Sequence, residues 1–261
     1  MTVNTKIHAK ITPVFIHGGP VTEDYLAPFL KPYFPTGFFF DQDISSNSTQ
    51  EQLITQLESK VEPLISLPED KVVLIGHSWG SILATHFLNK HSRHGSKYED
   101  KIVGVVIVSA FLNSNQELEF KSRYSSYNSK QALYYSLLSD FELTDISKKE
   151  FKGKKITNLE YIDWMMTKFS PSAFSQLIPE KFDYTDMLRE TKVPILNIVG
   201  SQDRRHLTDM ILKYGELSDL ITNIVINEAG GSPFLIPDHA KIFSTKVKEF
   251  ISSLGFLTPT L

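Results

Sequence analysis

The sequence predicts a doubly wound α/β domain, in which helices cover both faces of a mostly parallel sheet. Short apolar runs rich in Val, Ile and Phe alternate with helix-like segments along most of the chain. The runs lack the polar-apolar alternation of half-exposed strands, which is typical of strands buried on both faces. Strands and helices that alternate in this order form right-handed βαβ units. Together these observations favour one α/β core.

Each predicted strand is bounded by Gly, Pro, Asn or Asp, the residues that most often end a strand. Strands are expected at residues 13–16, 37–40, 72–75, 102–108, 195–199 and 221–226. Helices are expected at residues 49–65, 81–90, 207–214 and 238–254. With 261 residues, 41% of them hydrophobic, the chain is long enough for one such core and an insertion.

The alternation stops between about Asn113 and Thr185, where the chain becomes polar and contains amphipathic pieces at residues 131–138 and 159–169. It resumes at Val193 and Pro194. We therefore predict a first core part at residues 1–112, a helical lid at 113–185 and a second core part at 186–261. Open α/β sheets bind ligands at the carboxyl ends of their strands, where such a lid would lie. The alternative is that the extra helices are purely structural.

Composition excludes several kinds of function. The net charge is only −3 and the basic residues are scattered, so no nucleic-acid surface is expected. The chain has no cysteine, and its histidines are not spaced as metal ligands, so we predict no metal and no cofactor. Residues 1–10 do not resemble a signal peptide, and no run could span a membrane. We expect a cytoplasmic protein with a small-molecule partner; the sequence leaves the oligomeric state open.

A nucleophile elbow is predicted at Ser78. The pattern G-x-S-x-G occurs between Gly76 and Gly80, with an apolar strand before it and a helix after it. In such an elbow the serine occupies a strained turn that lifts its hydroxyl above the sheet, and the two glycines let strand and helix pass closely. The alternative, an incidental glycine turn, would not require a strand and a helix on its two sides.

A glycine-rich turn after the first strand is a candidate oxyanion hole. Backbone N–H groups in such a turn can point at a developing negative charge, which those in a strand ladder cannot do. The expected donors are the amides of Gly19, Gly18 and Trp79, the residue after the serine. A plain turn at the end of a strand is the alternative.

These motifs resemble the α/β-hydrolase superfamily, and the pairing of HGGP with GHSWG is similar to its proline iminopeptidase branch. The residues that carry the resemblance are His17-Gly18-Gly19-Pro20, Asp41-Gln42, Gly76-His77-Ser78-Trp79-Gly80 and Gly200-Ser201-Gln202-Asp203. The resemblance covers nearly the whole chain outside the predicted lid. It implies the α/β-hydrolase fold, with Ser78 as nucleophile and Asp203 as the acid of a catalytic triad.

The sequence departs from this pattern at Gly231, which stands where the resemblance predicts the catalytic histidine. Without an imidazole there, the Ser78 hydroxyl lacks its general base. His206 and His239 are alternative bases, although an exposed or helix-capping role explains each of them as well. His17 belongs to the glycine-rich turn, and His77 is expected to point away from the serine. A glycine here fits a protein that gave up hydrolysis or a deliberate removal of the base.

Two functions from different classes follow. The first is a serine hydrolase that acts on a small ester, amide or acyl substrate through Ser78, with its base removed or supplied from elsewhere. The second is a non-hydrolytic or ligand-binding relative that retains the pocket, because this fold hosts many activities. Tyr135 and Trp164, with Tyr134 and Tyr161, are candidate pocket residues or lid core. Glu160, Asp163 and Glu228 are candidates to hold the free amine of a prolyl substrate.

Overall fold

The computed structural model describes the chain at residues 10–19, 21–45, 47–92, 95–110, 112–115, 149–170, 172–173, 177, 182–201, 212–227 and 235–255. The strands are β1 Ile11–Ile16, β2 Phe38–Phe40, β3 Lys71–His77, β4 Ile102–Val108, β5 Lys149–Phe151, β6 Lys154–Ile156, β7 Ile195–Gly200 and β8 Ile221–Ile226. The helices are α1 Ala27–Leu30, α2 Gln50–Val61, α3 Trp79–His91, α4 Asn158–Lys168, α5 Thr185–Glu190 and α6 Leu235–Ser253. Short 3-10 turns follow at Glu62–Ile65 and Lys213–Glu216.

Six of these strands form one parallel sheet in the order β2-β1-β3-β4-β7-β8. All six strands predicted from the sequence are present in it, and their ends differ from the predicted ones by a few residues at most. The α/β class with a parallel, doubly wound sheet is therefore confirmed. The predicted helix at 207–214 falls mostly outside the described residues, and its last two residues belong to the 3-10 turn at Lys213–Glu216.

The sheet separates two apolar cores, and successive residues of a strand enter opposite ones. In β3, Val72 and Leu74 pack into a core with α2 and α3, whereas Val73 and Ile75 pack into a core with α1, α4 and α6. Both sets of side chains are fully buried. This is why the strands are apolar at most positions, since side chains that alternate across a strand meet a helix layer on both sides.

The predicted insertion has its two ends side by side. Asn113 and Asp183 form an isolated antiparallel bridge, the Ser114 N–H donates to the Phe182 carbonyl over 2.7 Å, and the Tyr184 N–H donates to the Leu112 carbonyl over 2.9 Å. The chain therefore leaves and rejoins the core at one neck, made of residues 112–114 and 182–184. The role of the segment as a lid stays a prediction.

A second attachment joins the later part of the predicted insertion, at residues 168–169, to the segment after β1. Val21 bridges Phe169, and the Thr22 N–H donates to the Lys168 carbonyl over 2.9 Å. Beside it, the Phe29 ring lies 5.5 Å from that of Phe151, which belongs to the β5-β6 hairpin. The insertion thus packs on the chain segment that follows the glycine-rich turn.

Candidate active site

The sheet order places a topological switch point between β1 and β3. The chain moves from β1 to β2 on one side and continues from β3 to β4 on the other, so the loops that leave β1 and β3 diverge. Such a switch point, at the carboxyl ends of the strands, is where open α/β sheets bind ligands. The glycine-rich turn follows β1, and Ser78 follows β3, so both predicted motifs lie at this switch point.

Ser78 connects β3 directly to α3 in a strained conformation. Its φ of 53° and ψ of −123° lie outside the regions that an L-residue normally occupies. The Ser78 N–H donates to the Val108 carbonyl of β4 over 2.8 Å, which ties the turn to the neighbouring strand. The residue is half-buried. A conformation of this kind costs of order 1–3 kcal/mol and persists only where the surroundings enforce it.

Glycines on both sides of the serine provide the clearance that the turn needs. A Cβ on Gly76 would lie 2.4 Å from the Gly80 carbonyl oxygen and from the Ser81 Cα. A Cβ on Gly80 would lie 2.1 Å from the Ile16 carbonyl oxygen. These are contacts with backbone atoms, which cannot rotate away, so the first turn of α3 passes β1 and β3 more closely than any side chain permits.

Ser81 fixes the start of α3 from inside. Its buried hydroxyl donates to the Gly76 carbonyl over 2.6 Å and accepts the Val108 N–H over 3.0 Å. One hydroxyl therefore joins the helix to both β3 and β4. The sequence motif alone did not indicate this residue, although it lies one helical turn beyond the serine.

The glycine-rich turn is held by two buried polar side chains. The His17 Nδ1–H donates to the Gly18 carbonyl over 2.7 Å, and the Gln42 amide donates to the His17 carbonyl over 2.7 Å. Gly19 has a φ of 145°, and a Cβ there would lie 2.1 Å from the Val21 nitrogen. Only glycine fits this bend.

Burial sets the protonation of His17. Its ring is fully buried, and this desolvation lowers the pKa of His17 despite the nearby carboxylate of Asp24. The neutral ring also fits its contacts, because Nε2 accepts the Gln42 N–H over 3.4 Å. Burial likewise raises the pKa of Asp24, whose oxygens accept the N–H groups of Leu26 and Ala27. His17 thus supports the turn, whereas Asp24 holds the start of α1.

Tyr25 and His77 form a contact that the sequence did not predict. The Tyr25 hydroxyl accepts the Gly18 N–H over 2.8 Å and is hydrogen-bonded to His77 Nδ1. The Gly18 N–H, one of the three predicted oxyanion donors, is therefore already engaged by Tyr25. Gly19 and Trp79 remain as candidate donors. His77, expected to point away from the serine, directs its ring to this tyrosine.

Solved structures of low sequence identity share the architecture. A thermophilic esterase from Thermogutta terrifontis matches with a TM-score of 0.67 at 15% identity, over 95% of this chain and 92% of that one. A proline iminopeptidase from Mycobacterium smegmatis matches with a TM-score of 0.64 at 13% identity, over 97% and 92%. A protein described as a putative non-heme bromoperoxidase from Mycobacterium tuberculosis matches with a TM-score of 0.65 at 15% identity, over 95% and 94%.

The chain has the α/β-hydrolase fold. The description of the family whose sequence profile matches residues 37–149 is lecithin:cholesterol acyltransferase. No curated protein sequence matches the chain significantly. The neighbours that share the α/β-hydrolase fold carry the names of different reactions, so the fold by itself does not choose among them.

Several predicted site residues lie outside the described residues: Asp203, His206, Glu228, Gly231, Tyr134 and Tyr135. His239 is described. It interrupts α6 with non-helical angles (φ −129°, ψ 35°), and its Nε2 is buried with no hydrogen-bond partner among the described residues. It therefore stays a candidate base.

The candidate pocket residues that are described take part in packing and capping. Trp164 lies in an aromatic cluster, with its ring 4.6 Å from that of Phe151 and 6.1 Å from that of Tyr161. The Glu160 carboxylate accepts the Thr157 N–H over 2.6 Å in the capping box of α4. Glu160 is thus engaged within its own helix. The ring contacts of Trp164 favour a packing role inside the predicted lid over a place in a pocket.

Two large clefts are lined by described residues, and Ser78 lines neither. One, of about 1100 Å³, lies at the amino edge of the sheet near Lys71, Ile102 and Pro194. The other, of about 830 Å³, lies between the segment around Asp24 and the β5-β6 hairpin. Among the described residues there is no group of three potential metal ligands. Within the same part of the chain, every helix is too short or too polar to cross a bilayer.

Proposed function

We propose that this chain is a serine hydrolase of the α/β-hydrolase type, acting on a small ester, amide or acyl substrate through Ser78. The observation that carries the proposal is the conformation of Ser78, a non-glycine residue at φ 53° between β3 and α3 at the switch point of the sheet. Strain of this size is typical of functional sites. The names of the structural neighbours, which include esterases, support the same reaction class.

In the proposed reaction the Ser78 Oγ attacks the carbonyl carbon of the substrate while its proton passes to a base. The carbonyl oxygen becomes an oxyanion that the N–H groups of Gly19 and Trp79 stabilise. Trp79 is the first residue of α3, where N–H groups have no partner within the helix and the positive end of the helix dipole favours an anion. Collapse of the intermediate expels the leaving group and leaves an acyl-Ser78, which water then hydrolyses.

The weak step of this scheme is removal of the serine proton. Gly231 has no side chain that accepts a proton, and by the resemblance Asp203 would orient a base that is missing from position 231. The chain as written is therefore expected to acylate slowly, unless His239 or His206 supplies the imidazole.

The second candidate, a ligand-binding or non-hydrolytic protein, rests on Gly231. Hydrolysis requires a base, whereas binding at the switch point does not. A neighbour described as a putative bromoperoxidase has the same fold with a different reaction in its name, which keeps this candidate open.

The deciding experiment restores the base. Hydrolysis of p-nitrophenyl acetate and butyrate is measured for the parent, Gly231→His, Gly231→Asn and Ser78→Ala. We expect Gly231→His to exceed the parent at least about a hundredfold, which is the scale of a general base. Gly231→Asn is the matched control, because it adds a polar side chain of similar size without a base.

Each result selects one account. A gain of esterase activity in Gly231→His that is lost when Ser78→Ala is added to it supports the hydrolase. Parent activity that depends on Ser78 indicates another base, which His239→Gln and His206→Gln would identify. No Ser78-dependent reaction in any folded variant would rule out the hydrolase and leave ligand binding as the function.

A further inference from the structure

One buried hydroxyl joins the two loops of the proposed site. Tyr25 is only 3% exposed and follows the glycine-rich turn, while His77 immediately precedes the serine. The Tyr25 hydroxyl accepts the Gly18 N–H over 2.8 Å and is hydrogen-bonded to His77 Nδ1. The turn after β1 and the elbow after β3 are thus connected through a side chain as well as through the sheet.

The Tyr25 hydroxyl has one proton and two lone pairs, so its oxygen can serve both partners at once. The Gly18 N–H can only donate, so the Tyr25 oxygen accepts it. The bond to His77 Nδ1 uses either the tyrosine proton or the second lone pair, according to the tautomer of His77. With either tautomer, one hydroxyl bridges the turn and the residue before the serine.

The contact lies where the turn meets the nucleophile. A Cβ placed on Gly18 would lie 2.5 Å from the Tyr25 oxygen and 3.0 Å from the Ser78 Cβ. The Gly18 backbone is therefore held between the tyrosine hydroxyl and the serine. Gly19, whose amide is a proposed oxyanion donor, is the next residue along the chain.

We propose that Tyr25 and His77 are positioning residues that fix the oxyanion turn relative to Ser78. Tyr25 takes up the Gly18 N–H and so sets the orientation of the peptide that leads to Gly19. His77 orients the tyrosine hydroxyl through the hydrogen bond at Nδ1. This inference rests on the proposed function, because a position matters for catalysis only if Ser78 reacts.

The test follows inactivation by an alkyl fluorophosphonate, which phosphonylates serine nucleophiles with loss of fluoride and places a phosphoryl oxygen where the oxyanion would form. It is carried out with Gly231→His as the parent, and the maximal inactivation rate is separated from the concentration for half-maximal rate. Tyr25→Phe is expected to lower the maximal rate about tenfold, less than the hundredfold or more of a lost oxyanion donor. The half-maximal concentration should stay unchanged, because no contact with the reagent is lost.

Variants of His77 separate positioning from packing. His77→Asn keeps a polar group that can hydrogen-bond near the place of Nδ1 and should react at a rate close to that of the parent. His77→Leu has no such group and should lose as much as Tyr25→Phe. The double variant Tyr25→Phe/His77→Leu should be no slower than either single variant, since the two residues act as one unit.

Tyr98→Phe is the matched control. It also removes the hydroxyl of a buried tyrosine, whose acceptor is the Glu58 carbonyl, but it lies at the cleft on the amino edge of the sheet. It should react as the parent does. Nitrogen-15 NMR gives a readout independent of activity: the signals of the Gly18 amide and of the His77 ring should both shift in Tyr25→Phe, because that variant removes their shared hydrogen-bond partner.

The outcomes distinguish the two proposals. If the parent is phosphonylated and Tyr25→Phe reacts equally fast, or if the Gly18 and His77 signals do not shift in Tyr25→Phe, the positioning role is wrong and the proposed function stands. If His77→Asn is as slow as His77→Leu, the role is wrong as well. If Ser78 is not phosphonylated in the parent, the proposed function fails and the positioning role fails with it.

Discussion

Two serines at the carboxyl edge of the sheet have similar strained backbones but very different surroundings. Ser78 has a φ of 53° after β3, and Ser109 has a φ of 48° after the neighbouring β4. Ser78 is half-buried and begins α3, whereas Ser109 is 0% exposed and leads into the insertion. The Ser109 hydroxyl has no hydrogen-bond partner among the described residues. A positive φ therefore does not by itself identify a nucleophile, and the role proposed for Ser78 rests also on its exposure and on the helix that follows it.

The largest difference between the two serines lies in the glycines around Ser78. Gly80→Ala would press a methyl group against the Ile16 and His17 carbonyl oxygens, at 2.1 and 2.5 Å. We expect it to lower the free energy of unfolding by at least about 3 kcal/mol, because backbone atoms must move. Urea unfolding measures this loss.

Gly104→Ala is the control for this substitution. Its added Cβ would meet only side-chain carbons of Phe250 and Leu254, at 3.0–3.1 Å. We expect a loss below about 1.5 kcal/mol, since these side chains can adjust. Equal losses in both variants would show that the tight approach of α3 to β1 is no special constraint.

Substitution by glycine tests the two serines directly. Ser78→Gly and Ser109→Gly both release strain, which after the entropy of the unfolded glycine should leave each more stable by about 1 kcal/mol. Only Ser78→Gly should abolish labelling by a fluorophosphonate. Labelling that persists in Ser78→Gly but is lost in Ser109→Gly would show that Ser109, and not Ser78, is the reactive serine.

Acid should weaken the side of Ser78 first. Burial lowers the pKa of His17, His86 and His91 below the ordinary 6.5, so the unfolded chain binds protons that the folded chain refuses. Stability is therefore complete above that value and declines as the pH falls through it. We expect lower urea midpoints at about pH 5.5 than at about pH 7.5.

Hydrogen exchange locates the effect. Protonation of the buried His17 removes Nε2 as the acceptor of the Gln42 N–H and places a charge beside the turn, so protection of the Gly18 amide should fall with acid more than that of the Ser109 amide, which donates to Ile198 over 3.1 Å. Protection factors corrected for the intrinsic pH dependence provide the comparison. A midpoint that rises in acid would contradict the sign derived from these histidines.

The sheet was predictable because its strands are buried on both faces, which leaves long apolar runs in the sequence. The elbow was predictable because the spacing of Gly76, Ser78 and Gly80 reflects one local turn. The β5-β6 hairpin was missed, since its described residues are mostly exposed lysine and glutamate around the single buried Phe151.

The contact between Tyr25 and His77 could not be found by reading the sequence. The two residues are 52 positions apart, and they meet only because β1 and β3 are neighbours in the sheet. Asp203 and Gly231, which the resemblance assigns to the triad, lie outside the described residues, so those assignments stay predictions.

The neck at residues 112–114 and 182–184 has a consequence for how such a protein can diversify. Because the two backbone segments of the neck are hydrogen-bonded to each other, the ends of the intervening segment are only one bridge apart. Closing a longer loop over such a gap costs little additional entropy. Segments of different length and composition can therefore be exchanged at this point, by evolution or by recombination in the laboratory. The strands β4 and β7 and the elbow after β3 would keep their places.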